Sequence, residues 1–180
     1  MKLSVIIPAY NEEKTIVQVV RAVKAVVLPG RMEKEIIVVN DGSTDGTAKA
    51  LAVFNKDPQV RVFHQDKNQG KTAGITRGLK EAIGDILLIQ DADLEYDPAE
   101  YPKLLAPILD GCTEVVYGSR FLGSIRSMEG VNRFANVFSN ITFTLLFGIR
   151  LTDINTCFKV FKKTALDGIE ITTDHFAFET

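Results

Sequence analysis

The chain has few of the residues that build thiolate metal sites, disulfide frameworks or membrane spans. It holds two cysteines, Cys112 and Cys157, far apart and in no C-x-x-C pair, and two histidines, His64 and His175. A zinc site or a disulfide-stapled scaffold is therefore not expected, and a reducing, cytoplasmic setting fits. No long run of one charge sign occurs: 21 Lys+Arg against 23 Asp+Glu leave a formal net charge of −2. That removes the usual electrostatic ground for nucleic-acid binding, and no nucleic-acid partner is expected. The apolar run after Met1-Lys2 is too short for a signal peptide. No segment reaches the roughly 18 consecutive apolar residues of a membrane span. The most apolar stretch, 134–147, is interrupted by Asn136, Ser139, Asn140, Thr142 and Thr144. Its stripe of Phe134, Val137, Phe138, Ile141, Leu145 and Ile149 is more often core packing than an interfacial helix, and it lacks Lys and Arg. Peripheral membrane contact is the most it suggests. The 180 residues read most simply as one domain, 1–180, with a substantial core.

What is present is alternation. Leu3 to Ile7 is an apolar run ended by Pro8, which predicts a buried strand. Asn11 is placed to cap a helix whose apolar positions are Ile16, Val19, Val20, Val23 and Val27. A second strand is expected over 35–39, closing at Asn40-Asp41-Gly42, then a helix capped by Ser43, Thr44 or Asp45 and running to about Asn55. A third strand over 60–64 precedes a helix over 72–82 with Ile75, Leu79 and Ile83 along one side. The fourth strand, 86–90, is followed by a helix turning Tyr101, Leu104, Leu105 and Ile108 inward, then a fifth strand over 114–118. Beyond, 123–130 reads as a mobile loop and 132–147 as a helix. Such alternation predicts an α/β fold, a mainly parallel sheet with helices on both faces and ligands at the carboxyl ends of its strands.

The strand ends are where chemistry is expected. Directly after Ile86-Leu87-Leu88-Ile89 comes Gln90-Asp91-Ala92-Asp93-Leu94-Glu95. Strand side chains alternate with period two, so Asp91 and Asp93 project to one side as the strand ends. Two such carboxylates form a hard oxygen site for Mg²⁺ or Mn²⁺, completed by substrate phosphates. A dinucleotide-binding turn is excluded, because Pro8-Ala9-Tyr10-Asn11-Glu12 contains no glycine where G-x-G-x-x-G is needed. A P-loop NTPase is the other rival: Gly70-Lys71-Thr72 ends a Walker A pattern, but Gln65 stands where its first glycine belongs.

The segments SVIIPAYNEEKTI (4–16), VVNDGSTDGT (38–47), NQGKTAGITRG (68–78), QDADLEYDP (90–98), GSRF (118–121), LTDINTCFKVFKK (151–163) and FAFET (176–180) occur in one order along nearly the whole chain. Together they resemble family 2 inverting glycosyltransferases of the GT-A fold, especially polyprenyl- and dolichyl-phosphate sugar synthases. The resemblance implies a nucleotide-diphospho-sugar donor, GDP- or UDP-linked, with mannose or glucose as the sugar. It implies a polyprenyl or dolichyl phosphate acceptor at the cytoplasmic membrane face, or alternatively a saccharide hydroxyl. Pro8, Ala9, Tyr10 and Glu12 would line the base and ribose pocket, Asp41 would contact base or ribose, and Lys71 lies on the same donor side. Asp91, Ala92 and Asp93 form the family's D-x-D segment, with Glu95 a third metal-ligand candidate. Arg120, with Arg133, matches positions for an acceptor phosphate. Asp153 matches the acidic position near the acceptor: a general base for a hydroxyl acceptor, or an orienting group for a phosphate, which needs no base. Cys157 stands where a small packing residue is usual. Relatives commonly continue beyond FAFET, so the chain is expected to be truncated at its C-terminus, with partners of Glu179 beyond it.

Overall fold

The computed structural model describes residues 1–122, 130–148 and 151–169, apart from the side chains of 122 and 130–135. The expected loop over 123–130 therefore falls outside the described residues except at its last position, as do Glu179, FAFET and the side chains of Arg133, Phe134 and Ile149. The elements are β1 (Lys2–Ala9), α1 (Ile16–Ala25), β2 (Glu33–Asn40), α2 (Thr47–Leu51), β3 (Val60–His64), α3 (Lys71–Glu81), β4 (Ile86–Ile89), α4 (Tyr101–Leu109), β5 (Val115–Tyr117), α5 (Gly130–Phe147) and β6 (Lys159–Lys162).

They build one six-stranded sheet in the order β3-β2-β1-β4-β6-β5. The first four strands are mutually parallel, as the βα alternation predicts. β1 and β2 read as unbroken apolar runs because both faces are covered: Val5, Ile6 and Ile7, and Ile36 to Val39, are all 0% exposed. Chain order steps β1→β2→β3 one way across the sheet and β3→β4 back. Right-handed crossovers then put α1 and α2 on one face and α3 on the other. β1 runs through Pro8 instead of stopping at it. On that strand the carbonyls of Lys2 and Ile6 accept from β4-side amides, so Pro8 also faces β4, beyond the last residue paired with it. Its missing N–H therefore costs no ladder bond.

Local expectations differ from the structure mainly at element ends. Asn11 does not cap α1; it adopts φ 57° and its Oδ1 accepts the Thr44 N–H. α1 stops at Ala25, so Val27 lies outside it and is exposed. α2 is shorter than expected and continues as a 3-10 turn, Ala52–Phe54. Ile83 falls past the end of α3 and is exposed, whereas Ile75 is buried. The inward residues of α4 are as expected.

The larger difference is β6, which the sequence reading did not contain. It enters between β4 and β5, antiparallel to both, so β5 does not pair with β4. Four residues with lysine at each end carry no readable period. Val160 and Phe161 become core only because two strands flank them.

α3 reaches the sheet closely enough to bring its first turn beside the end of β1. Gly78 allows this: a Cβ there would lie 2.4 Å from Ile6 Cγ2. Gly78→Ala is expected to destabilise the chain by roughly 1–3 kcal/mol through overpacking, read by urea denaturation with an unchanged m-value.

Candidate functional site

The carboxyl ends of β1, β2 and β4 surround a cavity of about 460 Å³. Pro8, Ala9, Tyr10 and Glu12 form one wall, Asp41, Asn68, Gly70 and Lys71 a second, and Asp91, Ala92 and Asp93 a third. The donor-side residues named from sequence are thus brought together; Glu95, Arg120 and Asp153 lie outside the lining. The first wall is laced to the loop after β2. Asn11 N–H donates to Ser43 Oγ (2.9 Å), Glu12 N–H to Thr47 Oγ1 (2.8 Å) and Gly46 N–H to the Glu13 carboxylate (2.7 Å). Tyr10 is left 44% exposed, its ring available at the mouth.

The second wall hangs on Asp41. This carboxylate is buried and accepts from Gln65 Nε2 (2.8 Å), Gln69 N–H (2.9 Å) and Gly70 N–H (2.8 Å). Its position is that expected from sequence, but most of its accepting capacity holds the 65–70 loop in place. The same bonds dispose of the P-loop alternative. A Walker A loop turns its amides onto phosphate, and here the Gln69 and Gly70 amides are spent on a carboxylate. Gly42 makes room for the crossing: it sits at φ +64°, and a Cβ there would lie 2.3 Å from the Lys67 carbonyl carbon.

The third wall is braced from behind. Gln90, fully buried, accepts from the Tyr101 hydroxyl (2.8 Å) and donates Nε2 to the Asp91 carbonyl (3.0 Å). Asp91 N–H points at Cys157 Sγ (3.1 Å), so Cys157 backs the acidic segment as well as packing. Burial holds the Cys157 thiol well above its usual pKa. Lys71 Nζ lies 2.8 Å from Asp91 Oδ1. Asp93 has a raised pKa, chiefly from desolvation in the cavity; the Asp91 charge adds to it, against the opposing pull of the Glu95 N–H and of Lys71.

A pair of carboxylates that repel each other in one cavity fits a divalent cation. Asp91 and Asp93 are hard oxygen donors suited to Mg²⁺ or Mn²⁺, the remaining positions falling to phosphate oxygens and water. Among the described residues no three His, Cys, Asp or Glu side chains converge on a metal position, although Glu95, its pKa raised by burial, stands near enough for the Asp93 and Asp91 charges to add to that rise. The Glu95 backbone N–H donates to Asp93 Oδ1 (3.1 Å) in a tight turn.

Beside this wall stands Arg120, its guanidinium carbon 5.8 Å from the Tyr96 ring centre. It is paired with Asp153, which is 1% exposed. Asp153 Oδ2 accepts from Arg120 N–H (3.0 Å) and Nε (2.8 Å), and Oδ1 from Arg120 Nη2 (3.0 Å) and Asn136 Nδ2 (2.8 Å). Burial would raise the Asp153 pKa, but these bonds from Arg120 and Asn136 outweigh it and hold it below the usual carboxylate range. A carboxylate so enclosed has no lone pair turned toward a substrate hydroxyl, which speaks against the base role and for the orienting one.

α5 supplies Asn136 and shows an unusual distribution of polarity. Its Asn136 and Asn140 are buried, while Val137, Phe138, Ile141, Leu145, Leu146 and Phe147 are exposed. The core-packing expectation for this stripe fails, because the helix turns its amides inward to hold residues 152–154. No helix among the described residues is long and apolar enough to cross a membrane. Sequence reasoning missed Asn68 and Gly70 as cavity residues, and Asn136 and Asn140 as partners of the Asp153 loop. NQGK flagged the first two only as a motif, and nothing local marks the second two.

Comparison with known proteins bears on the family and on the fold. The family model described as glycosyl transferase family 2 matches residues 4–169. A dolichol-phosphate mannosyltransferase of Pyrococcus furiosus is 39% identical over 123 residues, 68% of this chain and 34% of that protein. An undecaprenyl-phosphate 4-deoxy-4-formamido-L-arabinose transferase of Pseudomonas fluorescens is 27% identical over 181 residues, 98% of this chain and 51% of that protein. The chain thus spans about a third to a half of the length of these relatives. Among solved structures, the glucosyl-3-phosphoglycerate synthase of Mycobacterium tuberculosis, in complex with Mn²⁺, UDP-glucose and phosphoglyceric acid, shares the fold. Its TM-score is 0.74 at 22% identity, covering 99% of this chain and 62% of that one.

The Lys71–Asp91 pair predicts competition between lysine and metal. Lys71→Ala should bind Mn²⁺ about fivefold or more tightly without nucleotide, the equivalent of about 1 kcal/mol, measured by calorimetry. An unchanged affinity would show that Lys71 does not compete for Asp91.

Proposed function

Since this chain belongs to glycosyl transferase family 2, we propose that it moves a hexose, mannose or glucose, from a GDP- or UDP-linked donor to a polyprenyl phosphate of the dolichyl type. The observation that carries this reading is the convergence on one cavity of the Asp91–Asp93 pair, Lys71 and the Pro8–Tyr10 wall. Pro8, Ala9 and Tyr10 would receive the base and ribose, with Glu12 and Asp41 beside them. Lys71, beside Asp91, would meet the diphosphate. Asp91 and Asp93 would hold Mg²⁺ or Mn²⁺, which when bound neutralises charge on the departing nucleoside diphosphate. An acceptor phosphate oxygen attacks the anomeric carbon from the face opposite the leaving group. The carbon–oxygen bond to the diphosphate breaks, its electron pair leaves with the nucleotide, and the configuration inverts.

The acceptor assignment rests on charge. A saccharide hydroxyl needs a base, and the Asp153 oxygens are occupied; a phosphate arrives anionic and needs positioning by a cation such as Arg120. The exposed apolar face of α5 suits a surface that meets the cytoplasmic face of a membrane, where such an acceptor resides. Phe138→Asp/Leu145→Asp should abolish co-sedimentation with phospholipid vesicles at unchanged fold stability, and retained sedimentation would remove α5 from this role.

The donor reading is tested by calorimetric titration of GDP, UDP and ATP, each with and without Mn²⁺, on this chain and on Asp91→Asn/Asp93→Asn. Metal-dependent binding of GDP or UDP, lost in the double variant, is the expected result and names the nucleotide. Preferential ATP binding that survives the double variant would overturn the reading.

A further inference from the structure

We propose that Asp153, Asn136 and Asn140 are positioning residues that lock the Arg120 guanidinium with one edge, Nη1, presented to the acceptor phosphate. This rests on the reading of Arg120 as an acceptor-side group given above. The argument begins with a count of donors. Arg120 spends Nε on Asp153 Oδ2 (2.8 Å) and Nη2 on both Asp153 Oδ1 (3.0 Å) and the Asn155 carbonyl (3.1 Å). Among the described residues nothing accepts from Nη1. A guanidinium offers five N–H groups in a rigid planar fork. Three are therefore fixed, and the two on Nη1 are directed by the other three.

The anchor is itself held. A carboxylate as enclosed as Asp153 is costly unless every lone pair is met. Arg120 provides three of its four donors and Asn136 Nδ2 the fourth (2.8 Å). Asn140 continues the chain. Its Nδ2 lies 3.1 Å from Asn136 Oδ1 and 2.7 Å from the Thr152 carbonyl, and its Oδ1 accepts the Ile154 N–H (2.8 Å). The backbone on both sides of Asp153 is thereby pinned to α5. Asparagine is a poor interior helix residue, and two of them one turn apart and buried serve here as a bracket for a loop.

The guanidinium is also limited on a second side. Tyr96 lies beneath it, with its hydroxyl accepting the Cys157 N–H (3.1 Å) and its ring edge-on to Phe158 at 4.8 Å between centres. Tyr96 follows Asp93 by three residues, and its hydroxyl accepts from Cys157, whose sulfur lies against the Asp91 N–H, so this side chain links Arg120 to the acidic wall. Acceptor cation and donor site are thus set against one another by packed groups, before either substrate binds.

The test uses the 180-residue chain, wild type and the variants Asn136→Ala, Asp153→Asn and Arg120→Lys. The readouts are the NMR signal of the Arg120 Nε–H, calorimetric binding of the nucleotide, and transfer kinetics with a short water-soluble polyprenyl phosphate. The expected result is a solvent-protected Nε–H in wild type and its loss of protection in Asn136→Ala. The acceptor KM should rise about tenfold or more with nucleotide affinity unchanged. Arg120→Lys should share the KM defect, since it keeps the charge but not the fork. Loss of turnover in Asp153→Asn at unchanged acceptor KM would overturn the proposal and make Asp153 a base. A wild-type chain that binds no polyprenyl phosphate overturns the acceptor reading instead. The Nε–H signal then decides the bracket alone: it stands if protection is lost in Asn136→Ala and falls if protection is equal in the two proteins.

Discussion

The cavity depends on β1 lying between β2 and β4, parallel to both. The register places Ile6 beside Ile89 and Ala9 beside Asn40, so the chain leaves three strands at one edge within a few residues of one another. Each exit carries a different chemistry: an aromatic and small-residue turn after β1, a carboxylate after β2 and a carboxylate pair after β4. Only a parallel arrangement assembles such a set, because antiparallel neighbours send alternate exits to opposite edges.

The site uses carboxylates in two ways, and burial separates them. Asp91 and Asp93 open into the cavity, and their mutual repulsion is eased by Lys71 and by any cation that enters. Asp41 and Asp153 are almost wholly buried and surrounded by donors, Asp41 by loop amides and Asp153 by an arginine and an asparagine. A buried carboxylate with its lone pairs met is a strong anchor for irregular backbone, since moving the loop would strand a charge. The 65–70 loop on one side and the 152–155 segment on the other are therefore held without regular secondary structure of their own.

α5 follows the same logic from outside. A helix whose Asn136 and Asn140 face the protein while Phe138, Leu145, Leu146 and Phe147 are exposed inverts the usual pattern of a surface helix. Its inward face is explained by the Asp153 loop that it brackets. Its outward face is the one that the proposed polyprenyl-phosphate reading would turn toward a membrane surface.

How much of this was legible depended on the range of the contacts. The sequence by itself determined the βα alternation, the strands β1 to β4, the inward face of α4 and the acidic pair at a strand's end, because apolar runs and period-two or 3.6 spacing are written in neighbouring residues. It also brought forward most residues of the cavity, though not Asn68 and Gly70, through the order of their segments along the chain. It did not reveal β6, whose four residues become core only between two other strands, nor the direction in which α5 turns its stripe. The availability of Asp153 was equally hidden: one asparagine and an arginine 33 residues away occupy its oxygens. Those outcomes were decided only by the tertiary structure. Whether a polar atom is free or spent is set by what the fold brings against it, and no local pattern carries that information.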